Sequence, residues 1–174
     1  VERLADDLSA HFGILRAPAV EYAANRDPHR PLPGSAPLGR KTLHRLMNEL
    51  IEAWELGSGV REFVLVTAEG HEAHQEALST LLVTEARVQV VDIFSLDFGA
   101  LLEQPGIPAH GGELDTSLCL HIAPQLVRME AAEDTPRATP SLASAEKGAR
   151  LYEFILDRIA VLEDVALVDG RRTI

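Results

Sequence analysis

One segment of the sequence constrains the fold more than any other, because it holds two short apolar runs separated by an amphipathic stretch. The runs are EFVLVTA at residues 62–68 and RVQVVDIF at residues 87–94. The stretch between them predicts a helix with Ala73, Ala77, Leu78, Leu81 and Leu82 as its apolar residues. A strand, a helix and a second strand of these lengths favour a crossover with parallel pairing. The segment therefore predicts an α/β fold with a mostly parallel sheet and helices on both faces.

The rest of the chain adds further predicted elements. Helices are predicted within residues 1–13, 41–57, 110–124 and from 145 onward, and a short strand at residues 14–20. Gly57 is expected to end the second of these helices, and Ser144 can cap the last one. With 174 residues, the chain is long enough for one domain with a substantial core.

Composition and charge argue against several functional classes. The net charge of −11 argues against a nucleic-acid partner, because phosphate binding needs clustered Lys and Arg. No apolar run approaches the roughly 20 residues of a membrane helix, and no signal-peptide pattern opens the chain, so we expect no membrane partner. The single cysteine, Cys119, excludes an internal disulfide and fits a cytoplasmic location. Its position between apolar residues predicts that it packs as a small hydrophobe.

Polar residues that could carry chemistry follow the predicted strands. Ligands of parallel sheets gather at the carboxyl ends of the strands, which is where His71 stands. His110 and Glu113 open a later helix after a loop that contains Gly and Pro, so these side chains can converge with His71. Imidazole and carboxylate are ligand types for Zn²⁺, Mn²⁺ or Fe²⁺. A metal there could activate water for amide hydrolysis, and a histidine outside the ligand set could move protons.

Simpler interpretations of the same residues remain open. The spacing H-E-x-H differs from the H-E-x-x-H of zinc peptidases, which needs both histidines on one helical face. Glu72 can be favoured merely by the dipole of a helix that begins there, and His71 can be a hydrogen-bonded structural residue. His74, one turn into the helix, is expected to face solvent or an interface. The chain has neither the G-x-S-x-G pattern of serine hydrolases nor the phosphate-binding G-x-x-x-x-G-K-[ST] pattern.

Four segments together resemble the creatininase (creatinine amidohydrolase) family. HGGELDTSLCLHIAPQLVRME is similar to the family pattern H-[AG]-G-E-x-[ED]-T-S-L-x-L-x-x-x-P-x-L-V and is the most specific of the four. EFVLVTAEGHEAH stands where the family has a strand followed by N-G-H-G-G-N or N-G-H-Y-E-N. PHRPLPGSAPLGRKTL resembles E-H-x-x-F-P-G-T-x-S-L-x-x-x-T-L, and ASAEKGARLYE resembles A-[ST]-x-E-K-G. The order and spacing of these segments agree from about Leu4 to Asp157.

The resemblance implies a three-layer α/β/α fold and a metal-dependent amidohydrolase. Its substrate would be a small non-peptide or cyclic amide, and the protein would be a homo-oligomer, a hexamer or a dimer. The cofactor would be a divalent cation, with Zn²⁺ preferred to Mn²⁺ or Fe²⁺. A second ion would bind only if further ligands are supplied. The residue assignments are metal ligands His71 and Glu113, proton donor His110, and substrate-side residues His29, Asp115 and Glu72.

The sequence also departs from the family pattern. The family's first metal-ligand motif, E-x-H-G-x-H-L-P-x-x-x-D, precedes the first helix, whereas this chain begins at that helix. We therefore expect the domain, residues 1–174, to lack the first strand of the family fold, which would expose a sheet edge. Glu69 and His74 replace the two asparagines of the Gly-His motif. Two hypotheses follow: an amidohydrolase whose missing ligands come from elsewhere, and a non-catalytic member with a structural or regulatory binding role.

Overall fold

The computed structural model describes residues 1–25, 34–82, 85–105 and 111–169. Within these ranges the longer elements are α1 (Glu2–Phe12), α2 (Arg40–Ser58), β1 (Glu62–Thr67), α3 (Glu72–Ser79), β2 (Arg87–Asp92), α4 (Glu113–Ile122) and α5 (Ala145–Asp169). Short 3₁₀ turns occur at Ile93–Ser95, Gly99–Leu101, Pro124–Leu126, Met129–Ala131 and Pro140–Leu142. The elements form an α/β fold, as the sequence predicts.

The two strands pair in parallel, which confirms the predicted crossover. Their register runs from Glu62 opposite Arg87 to Thr67 opposite Asp92. The residues between them include α3, as a parallel connection requires. In the described part of the chain β1 and β2 form a two-stranded sheet. Because the strands end in register, the residues that follow them meet at one edge.

The chain divides into two compact units, of which the first comprises Val1–Ala5 and Leu15–Ser95. Its core is formed by buried apolar residues of α2, α3 and the segment before α2, namely Ala24, Leu43, Met47, Ala77 and Leu78. Leu65 of β1 and Val90 of β2 pack against this cluster. Trp54 of α2 stacks on Phe63 of β1 with 6.3 Å between ring centroids. The helices therefore cover the sheet through apolar contacts that the periodicity of α2 predicts.

The second unit comprises Asp6–Ile14 and Leu96–Ile174 and is built on the packing of α4 against α5. Its buried apolar side chains include Leu118, Leu151, Ile155 and Ile159. Gly148 of α5 lies directly against the backbone of α4, because a Cβ atom there would overlap the backbone carbonyl of Ser117. Ser117 is itself fully buried. This contact brings two backbones together with no side chain between them, which only glycine permits.

Three local predictions are wrong. Residues 14–20 form no strand, since they are exposed and Pro18 cannot donate to a sheet ladder.

The other two concern helix ends. The helix α2 ends not at Gly57 but before Gly59, whose φ of 67° is left-handed. The N–H of Gly59 donates to the helix carbonyl of Glu55. The helix α3 is shorter than predicted: it ends at Ser79, and the hydroxyl of its C-cap residue Thr80 bonds to the Glu76 carbonyl at 2.7 Å.

Among the described residues, no helix is both long and apolar enough to cross a membrane.

Candidate functional site

The carboxyl edge of the sheet in the first unit collects polar residues. Thr67 ends β1 and Asp92 ends β2, and the register places them opposite each other. The turn after β1 passes beside the second strand, since a Cβ atom at Gly70 would lie 3.7 Å from a carboxylate oxygen of Asp92. His71 follows this turn immediately and precedes α3. This edge is where parallel α/β sheets bind ligands.

His71 caps the N-terminus of α3. Its extended backbone (φ −64°, ψ 134°) lets the ring Nδ1 accept the N–H of Ala73 at 3.3 Å. Its own N–H donates to the Glu69 carboxylate at 3.0 Å, which holds the turn in place. The imidazole is exposed, and the structure gives its Nε2 no partner among the described residues. The sequence-predicted residue is thus at the expected edge with one ring nitrogen open to a ligand.

The capping bond decides which of the two ring nitrogens of a neutral His71 carries the proton. A neutral imidazole has one N–H, and a nitrogen that accepts a hydrogen bond does not hold it. Because Nδ1 accepts from Ala73, the proton of the neutral ring lies on Nε2, which is then a donor. Metal coordination through Nε2 requires the other tautomer, with Nδ1 protonated. In this arrangement His71 donates a hydrogen bond outward, and metal binding would break the helix cap.

His74 is buried, so the expectation that it faces solvent or an interface is wrong. Only 7% of its surface is exposed. Its Nδ1 accepts the N–H of Ala24 at 3.4 Å, and its Nε2 therefore donates to the hydroxyl of Thr67 at 3.0 Å. Burial lowers the pKa of His74 by more than the nearby carboxylates of Glu69 and Asp92 raise it. The residue is a neutral structural link between β1, α3 and the segment before α2.

Sequence reasoning missed three residues of this edge: Thr67, Glu69 and Asp92. Thr67 accepts from His74 and also from the N–H of Glu69 at 3.2 Å, so it anchors the turn. Asp92 is half-buried, and one of its oxygens accepts the N–H of Phe94 at 3.0 Å. Asp92 carried a usable signal, since it is the first polar residue after the apolar run of β2. Glu72, a substrate-side prediction, lies exposed at the first position of α3.

Glu113 opens α4 in the second unit and is 5% exposed. Its carboxylate accepts the N–H of Glu103 at 2.9 Å and the N–H of Gln104 at 3.0 Å, and it pairs with the ammonium of Lys147. Burial opposes its ionisation, but these hydrogen bonds outweigh burial and lower the pKa of the Glu113 carboxyl. The predicted role of Glu113 as a metal ligand is untested, and here protein donors engage its carboxylate.

Lys147 was missed by sequence reasoning, although the sequence carries a signal for it. The position three residues after a serine N-cap usually holds Glu or Gln, and the helix dipole disfavours a cation there. Lys147 occupies that position, and its N–H donates to the Ser144 hydroxyl at 3.1 Å, which confirms Ser144 as the cap of α5. Burial lowers the pKa of Lys147, but Glu113 and Glu103 outweigh burial and raise it.

Asp115 lines a cleft of about 350 Å³ in the second unit. Its two carboxylate oxygens accept the N–H of Gly111 at 2.6 Å and of Thr116 at 3.0 Å. Arg128 and the exposed thiol of Cys119 lie along the same cleft. The exposure of Cys119 corrects the prediction that it packs as a small hydrophobe. Asp115 thus presents a carboxylate, fixed by two backbone N–H groups, to a shallow and open part of the surface.

The remaining predicted residues, His29 and His110, lie outside the described residues. Within the described ranges, no group of three or more His, Cys, Asp or Glu side chains is arranged to hold a metal ion. The Nδ1 atom of His71 accepts the N–H of Ala73, and the Glu113 carboxylate is occupied by Lys147 and backbone N–H groups. A catalytic metal keeps about three protein ligands. The described residues therefore do not fit a metal ion in this arrangement.

Comparison with known proteins gives one family and one fold. The family model for creatininase (creatinine amidohydrolase) matches residues 1–141. The chain is similar to the crystal structure of a protein assigned as a creatinine amidohydrolase from Bacteroides fragilis NCTC 9343, with a TM-score of 0.68 and 19% sequence identity. The match covers 92% of this chain and 76% of that chain. At this identity the likeness shows a shared fold. No curated protein matches the chain.

Proposed function

Since the chain belongs to the creatininase family, we propose that it hydrolyses the C–N bond of a small non-peptide or cyclic amide. Hydrolysis adds hydroxide to the carbonyl carbon and a proton to the departing nitrogen, giving a carboxylic acid and an amine. The acid then passes its proton to the amine, so the products are a carboxylate and an ammonium. The observation that carries the proposal is the family match over residues 1–141. We assign the proton donated to nitrogen to His110, as the resemblance of the HGGELD segment implies.

The described residues support parts of such a site. The exposed Nε2–H of His71 stands at the ligand-binding edge of the sheet and can donate a hydrogen bond to a substrate oxygen. Glu72 and Asp115 are proposed substrate contacts, together with His29. Asp115 is the best supported, because it lines a cleft and both its oxygens are fixed by backbone N–H groups.

Members of the family are generally metal-dependent, and we extend the proposal to hydrolysis that needs a divalent cation, with Zn²⁺ preferred to Mn²⁺ or Fe²⁺. Because the described residues do not form its site, we assign the cation no step.

We also propose that the protein is a cytoplasmic homo-oligomer, a hexamer or a dimer. The two-stranded sheet of the described chain supports this, since open sheet edges favour pairing. A monodisperse monomer in light scattering would contradict the oligomer.

The test is turnover by the full chain after removal of metal and reconstitution with zinc, manganese or ferrous ion. Substrates are creatinine, other cyclic amides and simple formamides, with the released amine or carboxylate measured directly. We expect turnover that requires a metal and is lost in His110→Ala. The matched control is His11→Ala, an exposed histidine at the end of α1 that is outside the predicted site. Absence of turnover with every metal would refute the proposal.

A second candidate is a non-catalytic binding protein of the same fold. The observation that favours it is the structural engagement of both predicted ligands, His71 as a helix cap and Glu113 as the partner of Lys147. In that case the protein binds a small amide without consuming it. Calorimetric titration of the same amide panel, run beside the turnover assay, separates the two candidates. Binding that is followed by product formation would exclude this one.

A further inference from the structure

The buried carboxylate of Glu113 and the buried ammonium of Lys147 need an explanation beyond their mutual attraction. Both residues are more than nine-tenths buried, with 5% and 8% of their surfaces exposed. Burying two charges costs more than an exposed pair would gain, unless further hydrogen bonds satisfy both groups. A chain retains such a pair only where the surrounding backbone supplies those bonds. The backbone groups that hydrogen-bond to Glu113 and Lys147 therefore show which parts of the chain the pair joins.

The Glu113 carboxylate holds the backbone that leads toward α4. One oxygen accepts the N–H of Glu103 at 2.9 Å, and the other lies 3.0 Å from the N–H groups of both Glu103 and Gln104. Glu113 itself is the first residue of α4. The side chain thus joins the backbone at Glu103 and Gln104 to the start of α4. In the sequence, His110 lies between these two points.

Lys147 bonds to acceptors in other parts of the chain. Its ammonium has three protons and three acceptors: Glu113, the Glu103 carboxylate at 3.0 Å and the Leu142 carbonyl at 2.6 Å. The cap of α5 is joined to the same region, since the N–H of Ser144 donates to the Ser117 hydroxyl of α4 at 3.2 Å. The ammonium therefore ties the start of α5 and the turn before it to the start of α4.

We propose that Glu113 and Lys147 form a positioning pair that joins the backbone at Glu103 and Gln104 to the starts of α4 and α5, and that Glu113 is not a metal ligand. Withdrawal of the carboxylate toward a metal would leave two backbone N–H groups without an acceptor and would remove one of the three acceptors of the buried ammonium. The two acidic residues of HGGELD then have separate roles. Glu113 holds the backbone, and Asp115 is the carboxylate of this segment that lines the cleft.

The inference does not depend on the proposed hydrolysis, because its tests measure stability, amide exchange and bound zinc. The variants are Glu113→Gln, Lys147→Met and the double variant, with Glu146→Gln as control. Glu146 is an exposed carboxylate in the first turn of α5, next to Lys147 in sequence. Urea unfolding gives the stability of each variant, NMR gives the exchange rates of individual backbone N–H groups, and zinc analysis gives the stoichiometry.

We expect the equilibrium constant for unfolding to rise about a hundredfold or more in Lys147→Met, because that change leaves a buried carboxylate without its cation. The double variant should be destabilised by less than the sum of the two single variants, since it removes both charges together. In Glu113→Gln the backbone N–H groups of Glu103 and Gln104 should exchange at least tenfold faster. Glu146→Gln should match the wild type.

Zinc bound per folded chain should be the same in Glu113→Gln and in the wild type, including the case in which neither binds zinc. A fall in zinc stoichiometry in Glu113→Gln, with stability unchanged, would overturn the inference and restore Glu113 as a ligand. Stability additive across the single and double variants would also overturn it, because a positioning pair must be energetically coupled. A folded protein that turns over no amide would leave these outcomes as they stand.

Discussion

Gly148 is the position where a single added methyl group should disturb the second unit most. A Cβ atom there would overlap the backbone carbonyl of Ser117 and lie 2.8 Å from the Cβ of His121, whereas ordinary contacts begin at 3.4 Å. Because the obstacle includes backbone, no rotation of a side chain can relieve it. The helices α4 and α5 must move apart, which disturbs the buried residues between them.

The magnitude for Gly148→Ala follows from two opposing effects. Alanine in a helix interior is favoured over glycine by about 1 kcal/mol. Overpacking a core usually costs about 1–3 kcal/mol, and an overlap with backbone belongs at the upper end of that range. The net loss in the free energy of unfolding is therefore about 2 kcal/mol. For a chain of this size that corresponds to a fall in Tm of roughly 4–8 °C.

The assay is urea unfolding followed by circular dichroism, with Gly57→Ala as the matched control. Gly57 also lies in a helix, α2, but a Cβ atom there would meet nothing within 4 Å. The control should be more stable than the wild type by roughly 0.5–1 kcal/mol, since only the conformational effect remains. If Gly148→Ala is as stable as Gly57→Ala, the close approach of α4 and α5 at Ser117 is refuted.

Three further predictions concern the other features of the site. Thr67→Val should lower the free energy of unfolding by about 1–3 kcal/mol, because it leaves the Nε2–H of His74 without an acceptor. The control Thr67→Ser keeps the hydroxyl and should stay near the wild type. Equal stability of the two variants would contradict the hydrogen bond. Stability should fall as the pH drops through about 6.5, where an unfolded histidine takes up a proton that folded His74, with its lowered pKa, does not. The loss should level off below the pKa of the folded form, and a urea titration from pH 8 to pH 5 should show a shallower fall for His74→Gln. The thiol of Cys119 should react with a thiol reagent in the folded protein at a rate close to that of a small free thiol; protection until unfolding would show that it is buried.

The parallel pair β1–β2 could be predicted from the sequence because its signal is local. Two apolar runs of strand length, with a helical stretch between them, leave few alternatives to a parallel crossover. The cap of α5 was predictable for the same reason, since Ser144 stands immediately before a helical pattern. The strand expected at residues 14–20 failed because its apolar residues have no partner strand in the described chain and Pro18 removes a donor.

The roles of His74 and Glu113 could not be predicted from local patterns. His74 is buried because the N–H of Ala24, fifty residues earlier in the chain, docks on its ring. Glu113 was recognised as part of a motif, but its partner Lys147 lies thirty-four residues later. Sequence spacing identifies which residues are polar and near a strand end, whereas the fold decides which of them bond to each other. The two residues predicted as metal ligands are the clearest examples, because each has a structural partner that the motif does not reveal.

The stacking of Trp54 on Phe63 gives the molecule a built-in optical reporter. Trp54 is the only tryptophan of the chain, and it lies in the first unit, so tryptophan fluorescence reports the packing of α2 on β1. The helical signal in the far ultraviolet, by contrast, also contains α4 and α5. Coincident unfolding curves from the two signals would show that the units unfold as one cooperative block. Separate curves would give each unit its own transition without any added label.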